Sequence, residues 1–252
     1  MKTFEKDLLT VKIYETRDEM GVSAAKEIKA CILDMLSSKE TINMIFAAAP
    51  SQNEVLYALA TDKDIPWNRV NAFHMDEYIG LPADAPQGFG NFLRAHIFGL
   101  ADFRSVHYID STAPDAEAEC ARYAALLAQY PTDIVVMGIG ENGHIAFNDP
   151  PVADFNDPRA VKPVQLDEIC RNQQVNDGCF AHIEDVPKTA ITLTVPTLLA
   201  GKRLFCIVPA KTKANAVKAT ICGEIGELCP ATSLRRHASA VLYLDGNSSA
   251  LL

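Results

Sequence analysis

Apolar residues along this chain alternate between two periods. Short apolar runs at residues 10–14, 42–48, 69–75, 106–109, 133–139, 189–195, 203–208 and 240–244 read as strands. Between them lie segments whose apolar positions recur three and four apart. Residues 17–37 are the longest, with Ala24, Ile28, Ile32, Leu33 and Leu36 on one face and Asp18 near the start. Residues 51–60, 88–99, 115–129 and 212–222 follow the same rule, and Ser51 is placed to cap the first of these. Residues 148–187 hold Pro150, Pro151, Pro158, Pro163 and Pro187, which predicts a loop-rich middle.

Strands that alternate with helices predict a doubly wound, mostly parallel sheet with helices on both faces, a Rossmann-like α/β arrangement. No linker, internal repeat or low-complexity tract interrupts it, so residues 1–252 read as a single domain large enough for a substantial core.

The run at 133–139 leads into Gly138-Ile-Gly-Glu-Asn-Gly-His-Ile-Ala-Phe-Asn-Asp-Pro-Pro151. Loops at the carboxyl ends of parallel strands are where α/β proteins bind and react. Gly138, Gly140 and Gly143 have the GxGxxG spacing of a dinucleotide-binding turn. That motif needs its last glycine to open a long helix, and here Pro150-Pro151 follow at once. The glycines instead predict a compact loop that aims His144 into a cleft, with backbone N–H groups free to face an anion. An imidazole there can take and give a proton near neutral pH. Asn142 and Asp149 are placed to hold one ring nitrogen; the plainer alternative is that both cap turns.

A second constellation is Asp76-Glu77, at the end of the apolar run 69–75 and before Tyr78, Gly80 and Pro82. Neighbouring strands of an open sheet share one crevice, so Asp76 and His144 can converge despite their separation in sequence. A carboxylate and an imidazole together suit proton transfer between adjacent carbons of a sugar.

The runs HMDEYIGL and GIGENGHIAFNDP resemble the glucosamine-6-phosphate deaminase/isomerase family, relatives of the 6-phosphogluconolactonases, with similarity over roughly residues 25–245. The resemblance implies a cofactor-free conversion of an amino-sugar phosphate to a ketose phosphate with loss of ammonia. Asp76 matches the carboxylate that moves a proton from C2 to C1. His144 matches the histidine that opens the pyranose ring, and Asp149 stands where the family has a supporting glutamate. Glu77, Gly140 and Gly143 belong to the same motifs and read as substrate-contacting positions.

The chain also departs from that pattern. Asn142 replaces an aspartate two residues before the histidine. An amide oxygen can orient the imidazole but brings no charge to stabilise an imidazolium, which predicts slower ring opening and a gain from Asn142→Asp if that charge is limiting. Ala47-Ala48-Ala49-Pro50-Ser51-Gln52 replaces a glycine-rich phosphate turn; Ser51 and the helix start behind it can still hold an anion. Lys213 matches the phosphate lysine, and Arg171 is the nearest counterpart of the phosphate arginine. Lysines at a helix start, Lys211 and Lys213, are mildly unfavourable there, which favours a function for one of them.

A formal charge of -9 argues against an electrostatic footprint for nucleic acid or an anionic membrane, yet leaves room for a locally positive pocket and a small phosphosugar. Seven cysteines without a CxxC pair, and no signal-peptide pattern, fit free, mostly buried thiols in a reducing cytoplasm. Without CxxC or HxxxH pairs no metal site is expected, and no apolar run is long enough to span a bilayer. Two other readings stay open: a sugar-phosphate lactonase in which His144 activates water, and a sugar-phosphate-binding protein that has lost turnover. The motifs favour neither sugar epimer and leave a homo-oligomer open.

Overall fold

A computed structural model describes residues 1–252. The chain starts with an antiparallel hairpin, β1 (Lys2–Lys6) and β2 (Leu9–Ile13), and enters the long helix α1 (Arg17–Ser38). Then come β3 (Ile42–Phe46), α2 (Asn53–Thr61), β4 (Val70–His74), the short β5 (Asp76–Tyr78), α3 (Phe89–Leu93) with a π turn at Arg94–Phe98, β6 (Ser105–His107), α4 (Ala116–Gln129) and β7 (Ile134–Met137). The second half holds β8 (Val161–Gln165), α5 (Glu168–Asn176), β9 (Thr189–Leu193), α6 (Val195–Leu199), β10 (Arg203–Val208), α7 (Ala214–Cys222) and β11 (Ala240–Leu244).

Eight strands form one sheet in the order β1-β2-β11-β10-β7-β3-β4-β6, parallel throughout except for the β1–β2 pair. Side chains alternate across a strand, and both faces are apolar. Met44, Phe46, Ile134, Val136, Phe205 and Ile207 pack on one side with α1, α2 and α3. Ile45, Val135, Met137, Leu204, Cys206 and Val208 pack on the other with α4, α6 and α7. Helices therefore cover both faces, as the alternating pattern predicts.

Two expectations need correction. The run at 189–195 is a strand, β9, but it belongs to a separate antiparallel sheet of order β5-β9-β8. The middle of the chain is not only loop: it contains β8 and α5. Pro163 sits inside β8 without penalty because β8 is an edge strand, where one N–H has no ladder partner to lose. All seven cysteines are free, with Cys120, Cys170 and Cys206 buried and Cys222 exposed. No helix is long and apolar enough to cross a membrane.

Candidate active site

The strand order reverses between β3 and β7. From β3 the sheet grows outward through β4 and β6, and from β7 it grows the other way through β10 and β11. Loops leaving strands at such a reversal part to opposite sides and open a crevice at the carboxyl edge. The loops here are residues 47–52 and 138–149, and a cleft lies between them. Ser51, Asp76, Gly140, His144 and Lys213 all line it.

The glycine loop is built around the histidine. The Gly140 N–H donates to the His144 carbonyl at 2.9 Å, and the Gly143 N–H donates to the Gly140 carbonyl at 3.0 Å. Gly143 has φ +85°, a left-handed conformation that side chains resist, and it shapes the turn without lining the cleft. Gly140 serves by lacking a side chain: a Cβ there would lie 2.1–2.3 Å from three imidazole atoms of His144. Ala146 also has a left-handed φ of +46°, at a cost of about 1–2 kcal/mol. Beyond it the Phe147 N–H donates to Thr192 Oγ1 at 3.0 Å, and Asn148 Nδ2 donates to the Leu193 carbonyl at 2.8 Å, so the loop is fastened to β9.

His144 Nδ1 lies 2.8 Å from Asn142 Oδ1 and 2.9 Å from Asp149 Oδ1. Both partners are acceptors, so the neutral ring carries its hydrogen on Nδ1 and keeps a lone pair on Nε2. Asn142 Oδ1 also accepts the His144 N–H at 3.0 Å, while its Nδ2 donates to Asp149 Oδ1 at 2.9 Å and Asp167 Oδ2 at 3.3 Å. These contacts define which way the amide points. Asp149 reaches the imidazole although it is shorter than a glutamate. Burial opposes its ionisation, but hydrogen bonds from His144, Asn142 and the Cys170 thiol hold it below the usual carboxylate range.

Asp76 opens β5 opposite Thr192 of β9. Its backbone is tied down by His74, which donates from Nδ1 to the Asp76 carbonyl at 2.9 Å and accepts the Ile109 N–H on Nε2 at 2.9 Å. Burial lowers His74 to about 4, so it is a neutral structural residue. The Asp76 carboxyl has no hydrogen-bond partner within the chain. Burial, then the charges of Glu77 and Asp149, raise its pKa well above the ordinary value.

Four expectations need adjustment. Glu77 does not line the cleft; its carboxylate accepts the N–H groups of Tyr78, Phe89 and Gly90 at 2.8–3.0 Å and anchors the start of α3. Arg171 is also outside, donating to the carbonyls of Ile183 and Val186. Ser51 lines the cleft but does not cap α2; it sits in a 3-10 turn, Pro50–Gln52, where its Oγ accepts from Gln52 Nε2 at 3.0 Å. Three metal-ligating side chains do meet, since His144, Asp149 and Cys170 offer atoms within 4.8 Å of one another. Spacing hid this because Cys170 comes from the distant α5, and His144 and Asp149 already engage each other.

Lys213 is thus the one cation that lines the cleft, and no arginine does. It is buried without a side-chain partner; burial lowers its pKa, against the opposing charges of Asp177 and Glu141. Sequence reasoning missed Gln52, Gln173 and Gln174 in the wall, and Asp167 behind it. Asp167-Glu168 is a helix-start signal that would have located α5.

The family model described as glucosamine-6-phosphate isomerases/6-phosphogluconolactonase matches residues 15–243. A glucosamine-6-phosphate deaminase of Listeria innocua is 34% identical over 234 residues, 93% of this chain and 97% of its own. One of Bacillus cereus is 33% identical over 97% of this chain and 88% of its own. A solved monomeric glucosamine-6-phosphate deaminase superposes with a TM-score of 0.86 at 29% identity, covering 96% of this chain and 99% of that one. A 6-phosphogluconolactonase from Thermotoga maritima shares the fold, with a TM-score of 0.77 at 21% identity over 94% of this chain and 99% of its own. On these matches, which run almost from end to end, the chain belongs to the glucosamine-6-phosphate isomerase/6-phosphogluconolactonase family.

Proposed function

We propose that this protein converts an amino-sugar 6-phosphate, glucosamine-6-phosphate or its galacto epimer, to the ketose 6-phosphate and ammonia. The names of its relatives supply the substrate class. The observation that carries the reading is Asp76: a buried carboxyl without a partner, raised in pKa, in the same cleft as His144. Burying an ionisable group without a partner is costly, and such groups persist where chemistry uses them. A lactonase needs only the histidine to activate water and leaves Asp76 without a task.

His144 Nε2 takes the proton of the anomeric hydroxyl and returns it to the ring oxygen, opening the pyranose. Asn142 and Asp149 keep the ring hydrogen on Nδ1 throughout. Asp76 then removes the C2 proton, made acidic by the C1 carbonyl, while the C1 oxygen takes a proton from the substrate's own ammonium group, giving an enolamine. Returning that proton to C1 leaves an iminium at C2. Water adds there and ammonia departs, leaving the ketose. Lys213, with Ser51, holds the phosphate. The seven free thiols fit a reducing compartment, the cytoplasm.

The test is to incubate the protein separately with glucosamine-6-phosphate, galactosamine-6-phosphate and 6-phosphogluconolactone, and to follow ammonia, ketose phosphate and acid. The expected result is equal amounts of ammonia and ketose phosphate from at least one amino sugar. Ammonia from neither would overturn the proposal, and acid from the lactone alone would replace it with the hydrolase.

A further inference from the structure

We infer that Asp167, at the start of α5, is a positioning residue for His144, acting through the Asn142 amide. The inference rests on the role proposed for His144. Asp167 divides its two oxygens between two tasks. Oδ1 accepts the Cys170 N–H at 2.6 Å and caps the helix, while Oδ2 accepts from Asn142 Nδ2 at 3.3 Å. A primary amide has two N–H donors, and here they go to Asp149 and Asp167. Its oxygen takes both the His144 N–H and the ring Nδ1–H. Every hydrogen-bonding group of Asn142 that orients it is therefore matched.

Reversing the amide would aim its oxygen at two carboxylates and its NH₂ at the imidazole. That orientation sets a donor against Nδ1–H and leaves Asp149 alone to hold the hydrogen there, which weakens the bias against the Nε2–H tautomer, a form that cannot accept a proton from the sugar. The His144 N–H and Asp149 already oppose the reversal, and Asp167 completes the set by taking the second N–H of the amide. The same arrangement shows why an amide suits position 142. A carboxylate there would face Asp149 and Asp167 together, with no donor to offer either. Asn142 and Asp167 thus work as a pair, and Asn142→Asp is expected to slow the enzyme rather than speed it. The pairing also joins the histidine to α5, the helix that brings Gln173 and Gln174 to the cleft.

The test combines two readouts on the whole protein. Nitrogen-15 spectra of the imidazoles report the His144 tautomer without any turnover, with His144→Gln assigning the signal. Asp167→Ser keeps a capping hydroxyl but removes the second oxygen. It is expected to turn a single Nδ1–H form into a mixture and lower kcat about tenfold with KM little changed. Asn142→Asp should lower kcat by about the same factor. The exchange Asn142→Asp/Asp167→Asn lets donor and acceptor trade places and should recover most of the loss. An unchanged tautomer in Asp167→Ser, or an exchange variant no better than Asn142→Asp, overturns the inference. If no amino sugar is turned over by the wild type, the proposed activity fails while the spectra still decide the role of Asp167.

Discussion

Replacing Gly140 with alanine is a sharp test of the site because the backbone itself permits the change. Gly140 is not among the glycines with positive φ, so a Cβ there brings no conformational strain. Its cost comes entirely from the imidazole, three of whose atoms would lie 2.1–2.3 Å from the new carbon, where ordinary contact begins near 3.4 Å. The ring must therefore retreat by about 1.3 Å to restore normal packing. It is not free to do so. Nδ1 is held at 2.8 and 2.9 Å from Asn142 and Asp149, and a retreat of that size carries it beyond hydrogen-bond range of at least one of them. Misplacing a reacting group by about 1 Å costs roughly 100-fold in rate. The expected result is a fall of about 100-fold in kcat for ammonia release, with KM within about threefold, because Lys213 and Ser51 are untouched. The assay is continuous ammonia detection at saturating amino-sugar phosphate, with the His144 nitrogen spectrum recorded in parallel. A Gly140→Ala enzyme within threefold of wild type, with its Nδ1–H signal intact, would refute the packing argument.

Asp76→Asn should abolish solvent exchange of the C2 hydrogen, a loss of about 10³-fold or more in turnover, while ligand binding measured by calorimetry persists. The raised pKa of Asp76 means that the folded protein holds this proton more tightly than the unfolded chain does, so stability is lost as pH rises through the folded value. The asparagine variant should therefore melt higher than wild type at neutral pH and lose that advantage in acid; a lower melting temperature at neutral pH would contradict the assignment. The same shift should place the acid limb of kcat/KM above the ordinary aspartate value of about 3.9, and a limb at that value would exclude Asp76 as the base. Lys213→Met should raise KM about 10- to 100-fold with little change in kcat, as loss of a charged contact to a group that does not react; an equal fall in kcat would place the lysine in the chemistry.

How much of this was legible depended on which force formed each element. The strands buried on both faces announced themselves as apolar runs, and β10 and β11 carry the same bounds in the sequence reading and in the structure. β1, Lys-Thr-Phe-Glu-Lys, did not, because an edge strand needs only one apolar face and benefits from charge. Helix α5 was hidden because its nine residues, Glu168–Asn176, are mostly polar and show no long apolar stripe, although Asp167 marks its start. At the site, Asp76 and His144 could be paired because each follows the carboxyl end of a parallel strand. Glu77 is excluded from the cleft by strand geometry alone: adjacent residues in a strand point to opposite sides, so Asp76 and Glu77 cannot share one. Arg171 was assigned by proximity in sequence, whereas the carbonyls at Ile183 and Val186, which claim its guanidinium, become neighbours only in the folded chain.

Thr192 has a consequence for how this scaffold can change. It stands across from Asp76 in the small sheet, and its hydroxyl receives the Phe147 N–H of the histidine loop. Both proton-handling residues are thus referenced to one point on β9, in addition to the strands of the large sheet that they follow. Helices on the outer faces, and the edge hairpin β1–β2, can lengthen, shrink or be exchanged while that reference stays where it is. Such a layout lets distant relatives drift in their periphery and still keep two groups in register, much as a jig holds two tools while the bench around it is rebuilt.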